Sequence, residues 1–225
     1  MKKIIKKIPY LGLLIVNLYR KFNGGSKFIS SKNYWQNRYE KGGNSGAGSY
    51  DQLAKFKANI INTFLDEKKI HSTLELGCGD GNQLKYLKYK KYKGLDVSLT
   101  AIQMCKKLYE NDPTKSFELL EKTSDLKYDL VLSLDVIYHL VEDDIFHSHL
   151  KNIFKSSNKY VIVYSSNFDD KHTGIVEHVR HRNFTKWIEK NVLDFKLVDK
   201  VLNKFPYTGD GSNTSLADFY FYEKK

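Results

Sequence analysis

Residues Leu74–Asn82 read LELGCGDGN, and this stretch decides the fold. The apolar run that begins with STLELG at Ser72 has the character of a buried strand. It ends in alternate glycines, Gly77, Gly79 and Gly81, which permit a tight turn and let a ligand approach the backbone. The following NQLKYLKYK, from Asn82, predicts a helix. YKGLDVS, from Tyr92, is a second strand ending in Asp96, nineteen positions after Gly77. That is the spacing of a carboxylate that receives a ribose diol. A nicotinamide-binding turn, however, reads G-x-G-x-x-G and faces a pyrophosphate. This one reads GCGDG, with Asp80 inside it and Glu75 before it. Two acids repel a pyrophosphate and suit a cationic ligand. No Gly-Lys-Ser/Thr follows, which excludes a P-loop.

Outward from the turn, strands and helices alternate. Before it, DQLAKFKANIINTFLDEKK carries Leu53, Phe56, Ile60, Ile61, Phe64 and Leu65 at helical spacing. After it, LTAIQMCKKLYEN reads as a helix, and KSFELL, YDLVLSL and KYVIVYSS as short strands, with helical EDDIFHSHLKNIF before the last. The rhythm predicts an α/β fold, a parallel sheet with helices on both faces. FKLVDKVLNKF and SLADFYFYEKK have no helix between them and should pair antiparallel at one edge, completing seven strands.

The chain has 225 residues, enough for one domain with a full core. Lys+Arg exceeds Asp+Glu by 37 − 26 = 11, which favours anionic partners: nucleic acid, a membrane surface or a phosphorylated substrate. No nucleic-acid-binding motif is present, so no specific nucleic-acid partner is expected. Two cysteines, Cys78 and Cys105, make neither a disulfide framework nor a zinc site, so no metal is expected and a reducing, cytoplasmic setting is. Residues 1–22, MKKIIKKIPYLGLLIVNLYRKF, have a basic start and an apolar middle but no small-residue cleavage site. The run from Ile8 to Val16 falls short of the roughly 20 residues that span a bilayer. The segment suits a helix lying peripherally in the inner membrane interface, or one packed on protein. Residues 23–50 are glycine-rich but interleaved with Tyr34, Trp35, Tyr39 and Tyr50, which predicts an ordered loop that caps something.

From about Tyr50 onward, residues 51–225 resemble the class I S-adenosylmethionine-dependent methyltransferases. LELGCGDGN is similar to their first motif, GLDVS to the second, and YDLVLSLDVIYHL to the fourth-strand motif. The resemblance implies a Rossmann-like seven-stranded sheet with an antiparallel final strand pair, under an N-terminal helical cap. It implies S-adenosyl-L-methionine as cofactor, whose sulfonium suits an acidic turn. Glu75, Gly77, Cys78, Gly79, Gly81 and Asn82 would then hold the cofactor at the turn, and Asp96, Val97 and Ser98 at the second strand. Leu120 and Glu121 of FELLE would approach the adenine; Ser133, Leu134 and Asp135 would close the fourth-strand side, with Tyr138 beside the adenine. Tyr34, Trp35, Tyr39, Ser49 and Tyr50 would cover it from the cap. Cys78 reads as a small residue in a tight turn, not a nucleophile.

The acceptor atom must lie in line with the sulfur–methyl bond, about 3 Å away. Loops over the cofactor are therefore the candidates. DDKHTGIVEHVRHRNFTKWI places His172, His178, Arg180, His181 and Arg182 on one connection. It is either a solvated basic loop or a site for an anionic acceptor, since arginine pairs bidentately with phosphate or carboxylate. His178 through Thr185 also resembles the His-x5-Phe-Thr segment of many bacterial sugar and lipid methyltransferases. His139 has two open roles, base toward a hydroxyl or packing beneath the cofactor. Together with the lysine-rich composition and the cap, these features resemble methyltransferases of bacterial capsule and lipopolysaccharide gene clusters. They imply O-methylation of a sugar, nucleotide-linked or phosphate-type (phosphoramidate) precursor. A small-molecule enzyme of secondary metabolism and an RNA methyltransferase are the other classes. Deletion of residues 1–22 should reduce cosedimentation with anionic vesicles while leaving cofactor affinity unchanged, because basic charge and apolar surface coincide there. Equal cosedimentation of both proteins would assign the segment to protein packing.

Overall fold

The computed structural model describes residues 28–121, 127–170, 176–209 and 211–225. The expected membrane-interface helix at 1–22 and His172 lie outside the described residues. The chain opens with α1 (Ser31–Glu40), followed by a short 3-10 turn at Ala47–Ser49 and α2 (Asp51–Glu67). Then come β1 (Thr73–Leu76), β2 (Tyr92–Asp96), α3 (Leu99–Leu108), β3 (Lys115–Leu119) and β4 (Tyr128–Leu134). α4 (Asp143–Lys155), β5 (Ser157–Ser165), α5 (Phe184–Asn191), β6 (Phe195–Val201) and β7 (Asp218–Lys224) complete it. The seven strands form one sheet in the order β3-β2-β1-β4-β5-β7-β6. The first five are parallel, and β7 runs antiparallel to both β5 and β6. Strand order reverses between β1 and β4, and ligands of open parallel sheets bind beyond such a switch.

Strand alternation sorts the core into two layers. Leu130, Leu132 and Leu134 of β4, Ile162 and Tyr164 of β5, and Phe219 and Phe221 of β7 meet α2 and α3 on one face. Val131, Val161, Val163, Tyr220 and Tyr222 meet α4 and α5 on the other. α2 buries Leu53, Ala54, Ala58, Ile61, Phe64 and Leu65, and one charged residue within the same stripe, Lys57.

Two local readings of the sequence need correction. NQLKYLKYK is not an α-helix: it makes one 3-10 turn, Asn82–Tyr86, and is extended by Leu87. Asn62 of α2 ends it, its amide donating to the Tyr86 carbonyl and its oxygen accepting from Lys88 N–H. The cap is not a loop throughout, since ten of its residues form α1. Ser30 caps that helix by accepting from Asn33 N–H. Glu142 receives the Ser31 N–H at 2.8 Å, so an anion sits at the helix amino terminus, where it is favoured.

Phe219 is fully buried in β7, against Phe56, Tyr164 and Phe221. Phe219→Ala should lower stability by about 3–5 kcal/mol, the range for an aromatic cavity in a core. The urea midpoint would register it, and an unchanged midpoint would show that the site collapses freely.

Candidate active site

The turn is pinned by one acceptor. Gly77 and Cys78 both donate their N–H groups to the Leu95 carbonyl, at 2.7 and 3.1 Å, fastening the end of β1 to β2. Glycine is required there by packing. A Cβ on Gly77, which has φ +93°, would lie 2.4 Å from a Val136 methyl. One on Gly79 (φ +58°) would lie 2.3 Å from Ser45 Oγ. The turn is thus compressed between the β4 loop and the cap, and L side chains fit neither the space nor the dihedral.

Around this turn lies a cavity of about 860 Å³, within the range of ligand sites. It brings together Glu75, Gly77, Cys78 and Gly79 of the turn, Asp96 and Val97 after β2, and Leu120 and Glu121 after β3. Leu134, Asp135 and His139 form the β4 side, and Trp35, Tyr39 and Ser49 the cap. Among the described residues its wall carries six carboxylates (Glu75, Asp96, Glu121, Asp135, Glu142 and Asp144) against Lys32 and Lys57. That balance suits a cationic ligand.

The two acids nearest the strand ends that flank the turn are held by the backbone and by a tyrosine. Asp96 accepts from Gly79 N–H at 3.0 Å and Ser98 N–H at 2.9 Å, and burial raises its pKa to about 6. Glu75 accepts from the Tyr92 hydroxyl at 2.7 Å, and burial raises its pKa to about 7.

Other residues expected at the ligand stand behind the wall. Asp80, expected to face a cation, accepts from Ser45 N–H, the Tyr50 hydroxyl and Asn82 N–H at 2.8–3.0 Å. Asn82 donates to the Ser49 carbonyl at 2.6 Å. Tyr50 and Asn82 therefore tie the cap to the turn. A Cβ on Gly81 would meet Cys105 Sγ at 2.9 Å, so this glycine serves packing against α3. Ser98 caps α3, accepting from Ala101 N–H, and Ser133 lies in the floor against His149 Nε2 at 2.8 Å. Tyr34 stacks on His178 at 3.9 Å, and Tyr138, expected beside the adenine, donates to Asp135 at 2.8 Å.

Among its described residues, the basic connection does not line the cavity. Arg182 donates to the Leu140 and Val141 carbonyls, each at 2.6 Å, and pairs with Asp143 at 3.0 Å. Its guanidinium also lies over the Phe146 ring. Arg180 donates to the Val141 carbonyl and pairs with Asp143 at 3.0 Å. His181 meets Ser166 Oγ at 2.7 Å and stacks on Phe168. Guanidinium groups so engaged brace the loop before α4 and do not line the cavity.

His139 does line the cavity. Its Nδ1 lies 3.0 Å from the His178 carbonyl; a carbonyl only accepts, so Nδ1 carries the proton and Nε2 is left as the acceptor. Burial pushes its pKa down to about 4, so the ring is neutral at ordinary pH. The Trp35 indole packs edge-on against it at 4.9 Å.

Sequence reasoning missed Lys57, Ser45 and the face of α4 that presents Ser148 and Asn152 to the cavity. Lys57 was detectable as a charge within an apolar helical stripe. The α4 residues lie in no motif and carried no signal.

Glu75 gives a pH signature. The folded chain holds a proton that the unfolded chain releases near pH 4.5, up to about pH 7. Its contribution to stability is therefore complete below about pH 4.5 and is lost as pH rises through 7. At about 1.4 kcal/mol per pKa unit, the loss amounts to a few kcal/mol. Glu75→Gln should accordingly flatten the dependence of thermal midpoint on pH between 5 and 8. An unaltered slope would assign that dependence to other groups.

Comparison with known proteins agrees with this geometry. Residues 74–162 match the family described as methyltransferase domain. The chain is 25% identical over 145 residues to protein 235L of Invertebrate iridescent virus 6, named provisionally as a methyltransferase. The match covers 61% of this chain and 54% of the relative, so the chain spans about half that protein's length. Among solved structures, magnesium protoporphyrin IX methyltransferase (ChlM) from Synechocystis PCC 6803 with bound SAH superposes with TM-score 0.63 at 12% identity. That superposition covers 86% of this chain and 98% of the other. The N-methyltransferase NodS from Bradyrhizobium japonicum WM9, in complex with S-adenosyl-L-homocysteine, gives TM-score 0.60 at 16% identity, over 76% of this chain and 85% of that one. Residues 74–162 thus match the methyltransferase-domain family, and the chain has the fold of these solved methyltransferases.

Proposed function

We propose that this chain is an S-adenosylmethionine-dependent methyltransferase that O-methylates a hydroxyl of a sugar or nucleotide-linked sugar, of the kind assembled into bacterial surface glycans. When bound, S-adenosylmethionine supplies a methyl group on a sulfonium, open to displacement by oxygen. The residues present fit that cofactor. The cavity wall is acidic, Asp96 stands at the ribose-binding spacing, and Glu121 stands at its rim. The surface-glycan class rests on the resemblance of the cap and of the His178–Thr185 segment to methyltransferases of such gene clusters.

The observation that carries the acceptor chemistry is the fixed tautomer of His139. Nδ1–H is held by the His178 carbonyl, and His139 lines the same cavity as the glycine turn and Asp96. A sugar hydroxyl is too weak an acid to attack unaided, so a neutral imidazole nitrogen beside it serves as proton acceptor. Trp35 supplies an aromatic wall for the apolar face of a sugar ring. Arg180 and Arg182 are committed to Val141 and Asp143, which removes the support for a phosphate-type acceptor.

Methyl transfer to a panel of nucleotide sugars and phosphorylated precursors tests the proposal. His139→Gln should lower turnover by about a hundred- to ten-thousandfold, with S-adenosylhomocysteine affinity unchanged. The wild-type rate should stay level from neutrality down toward about pH 5, because the base titrates near 4. Wild-type turnover in the Gln variant, or transfer confined to acceptors whose reacting oxygen is already ionised, would overturn it.

A further inference from the structure

The chain carries a net charge of +11, yet the cavity at the carboxyl ends of the strands has an acidic wall. The excess of lysine lies elsewhere, and much of it sits at the opposite end of the sheet, where the parallel strands begin. Those strands start close to one level. Thr73 of β1 pairs with Tyr92 of β2 and Leu130 of β4, and Tyr92 pairs with Lys115 of β3. Tyr128 of β4 pairs with Ser157 of β5, and Phe195, first in β6, with Lys224 at the end of β7. Helices that lead into parallel strands must run back to this same end. α2 thus delivers Lys68 and Lys69 there, and α4 delivers Lys155.

The segment before β2 adds three more. Leu87 and Tyr89 are buried while Lys88 and Lys90 are exposed, the alternation of an extended backbone, here held to α2 by Asn62. Lys91 is exposed beside them. Asp112, Asp129 and Asp194, at the same end, each hold a lysine of their own: Lys115, Lys159 and Lys224. Asp66, Glu67 and Glu110 offset part of the remaining charge. Unlike Arg180 and Arg182, the ammonium groups of Lys69, Lys88, Lys90 and Lys91 have no partner among the described residues. Leu193, between α5 and β6, stands at this end 72% exposed.

Helix dipoles explain lysines at the last turns of α2 and α4. They do not explain Lys88, Lys90 and Lys91, which lie on no helix, or a bare leucine at a basic end. A level array of cations with an exposed aliphatic side chain fits an anionic bilayer: ammonium groups meet the headgroups and the leucine enters the interface. Nucleic acid, the other polyanion, is gripped by arginine forks and by exposed rings that stack on bases. The cations named here are all lysines, and the neighbouring Tyr89 and Tyr92 are buried.

We infer that the end of the sheet at which the parallel strands begin is a docking surface for an anionic lipid bilayer, with Lys88, Lys90 and Lys91 among its contacts. So docked, the chain turns its cavity toward water. This surface is distinct from residues 1–22, because Ser30 and Ser31, where the described chain enters α1, line the cavity at the other end. Docking of this kind does not depend on the acceptor, so its failure would leave the methyltransferase reading intact.

Cosedimentation of the full chain with phosphatidylserine/phosphatidylcholine vesicles is the test. Wild-type protein should bind, and rising salt should weaken the binding by screening exposed charges. Lys88→Gln/Lys90→Gln/Lys91→Gln should weaken it by about fivefold per lysine, on the order of a hundredfold in all, with the thermal midpoint unchanged. Lys41→Gln/Lys186→Gln/Lys204→Gln removes the same charge from exposed positions at the cavity end and should stay within about threefold of wild type. Equal loss in the two variants would reduce the effect to net charge. Wild-type binding by the first variant would leave membrane contact to residues 1–22, and displacement from the vesicles by an RNA duplex at equal phosphate concentration would assign the surface to nucleic acid. Each of these results overturns the inference, as does a wild-type chain that does not bind the vesicles.

Discussion

A single buried carboxylate, Asp80, holds the site together. It gathers one donor from its own turn, Asn82 N–H, and two from the cap, Ser45 N–H and the Tyr50 hydroxyl. Hydrogen bonds to a charged acceptor contribute about 1.5–3 kcal/mol each, and a buried carboxylate left without them is strongly disfavoured. The cap is therefore fixed over the glycine turn by electrostatics where it has little apolar surface of its own: of α1, only Ser31 and Tyr39 are buried. Trp35 and Tyr39 reach the cavity because this tie holds. Ser45 lies so close above Gly79 that no side chain fits there.

The strands were legible because their alternation matches the two layers they pack between. β7 places Phe219 and Phe221 on one face and Tyr220 and Tyr222 on the other, and the sequence DFYFYEK states that pattern outright. The ligand end was legible because the glycine turn and Asp96 are set by spacing along the chain. Short-range reasoning failed where a distant side chain decides. Asn62, from another helix, captures the backbone of the segment after the turn and stops it from coiling further. In the cap, the glycines after residue 41 masked the signal of Ser30, a good N-cap ahead of a stretch free of glycine and proline. Lys57 was overlooked because its meaning depends on Asp135, seventy-eight positions away.

The basic connection shows why clustered charge is a poor guide to a binding site. Arg180 and Arg182 extend to one side and His181 to the other, as alternation along an extended backbone requires. The partners of both arginines are nevertheless the Val141 carbonyl and the Asp143 carboxylate, within the protein. The segment acts on the site at one remove. By bracing Leu140 and Val141 and presenting the His178 carbonyl, it determines which nitrogen of His139 is protonated. A surface charge cluster thereby becomes a device for setting a tautomer.

The order of the sheet also constrains how this molecule assembles. β6 precedes β7 in the chain, but β7 lies between β5 and β6. Among the described strands β6 pairs with β7 alone, so it has no place on the sheet until β7 has docked on β5. It bears Leu197 and Val198, both substantially exposed. Closure of this edge thus awaits pairings distant in sequence, such as Tyr164 with Phe219. Contacts of that separation slow folding, because the intervening loop must be ordered before they form. The β1–β4 half that carries the cavity forms no strand pair with β6 or β7, and meets β7 through the side-chain layer of Phe219 and Phe221 against α2. The β6 edge therefore depends on the pairing of β7 with β5 for its place on the sheet.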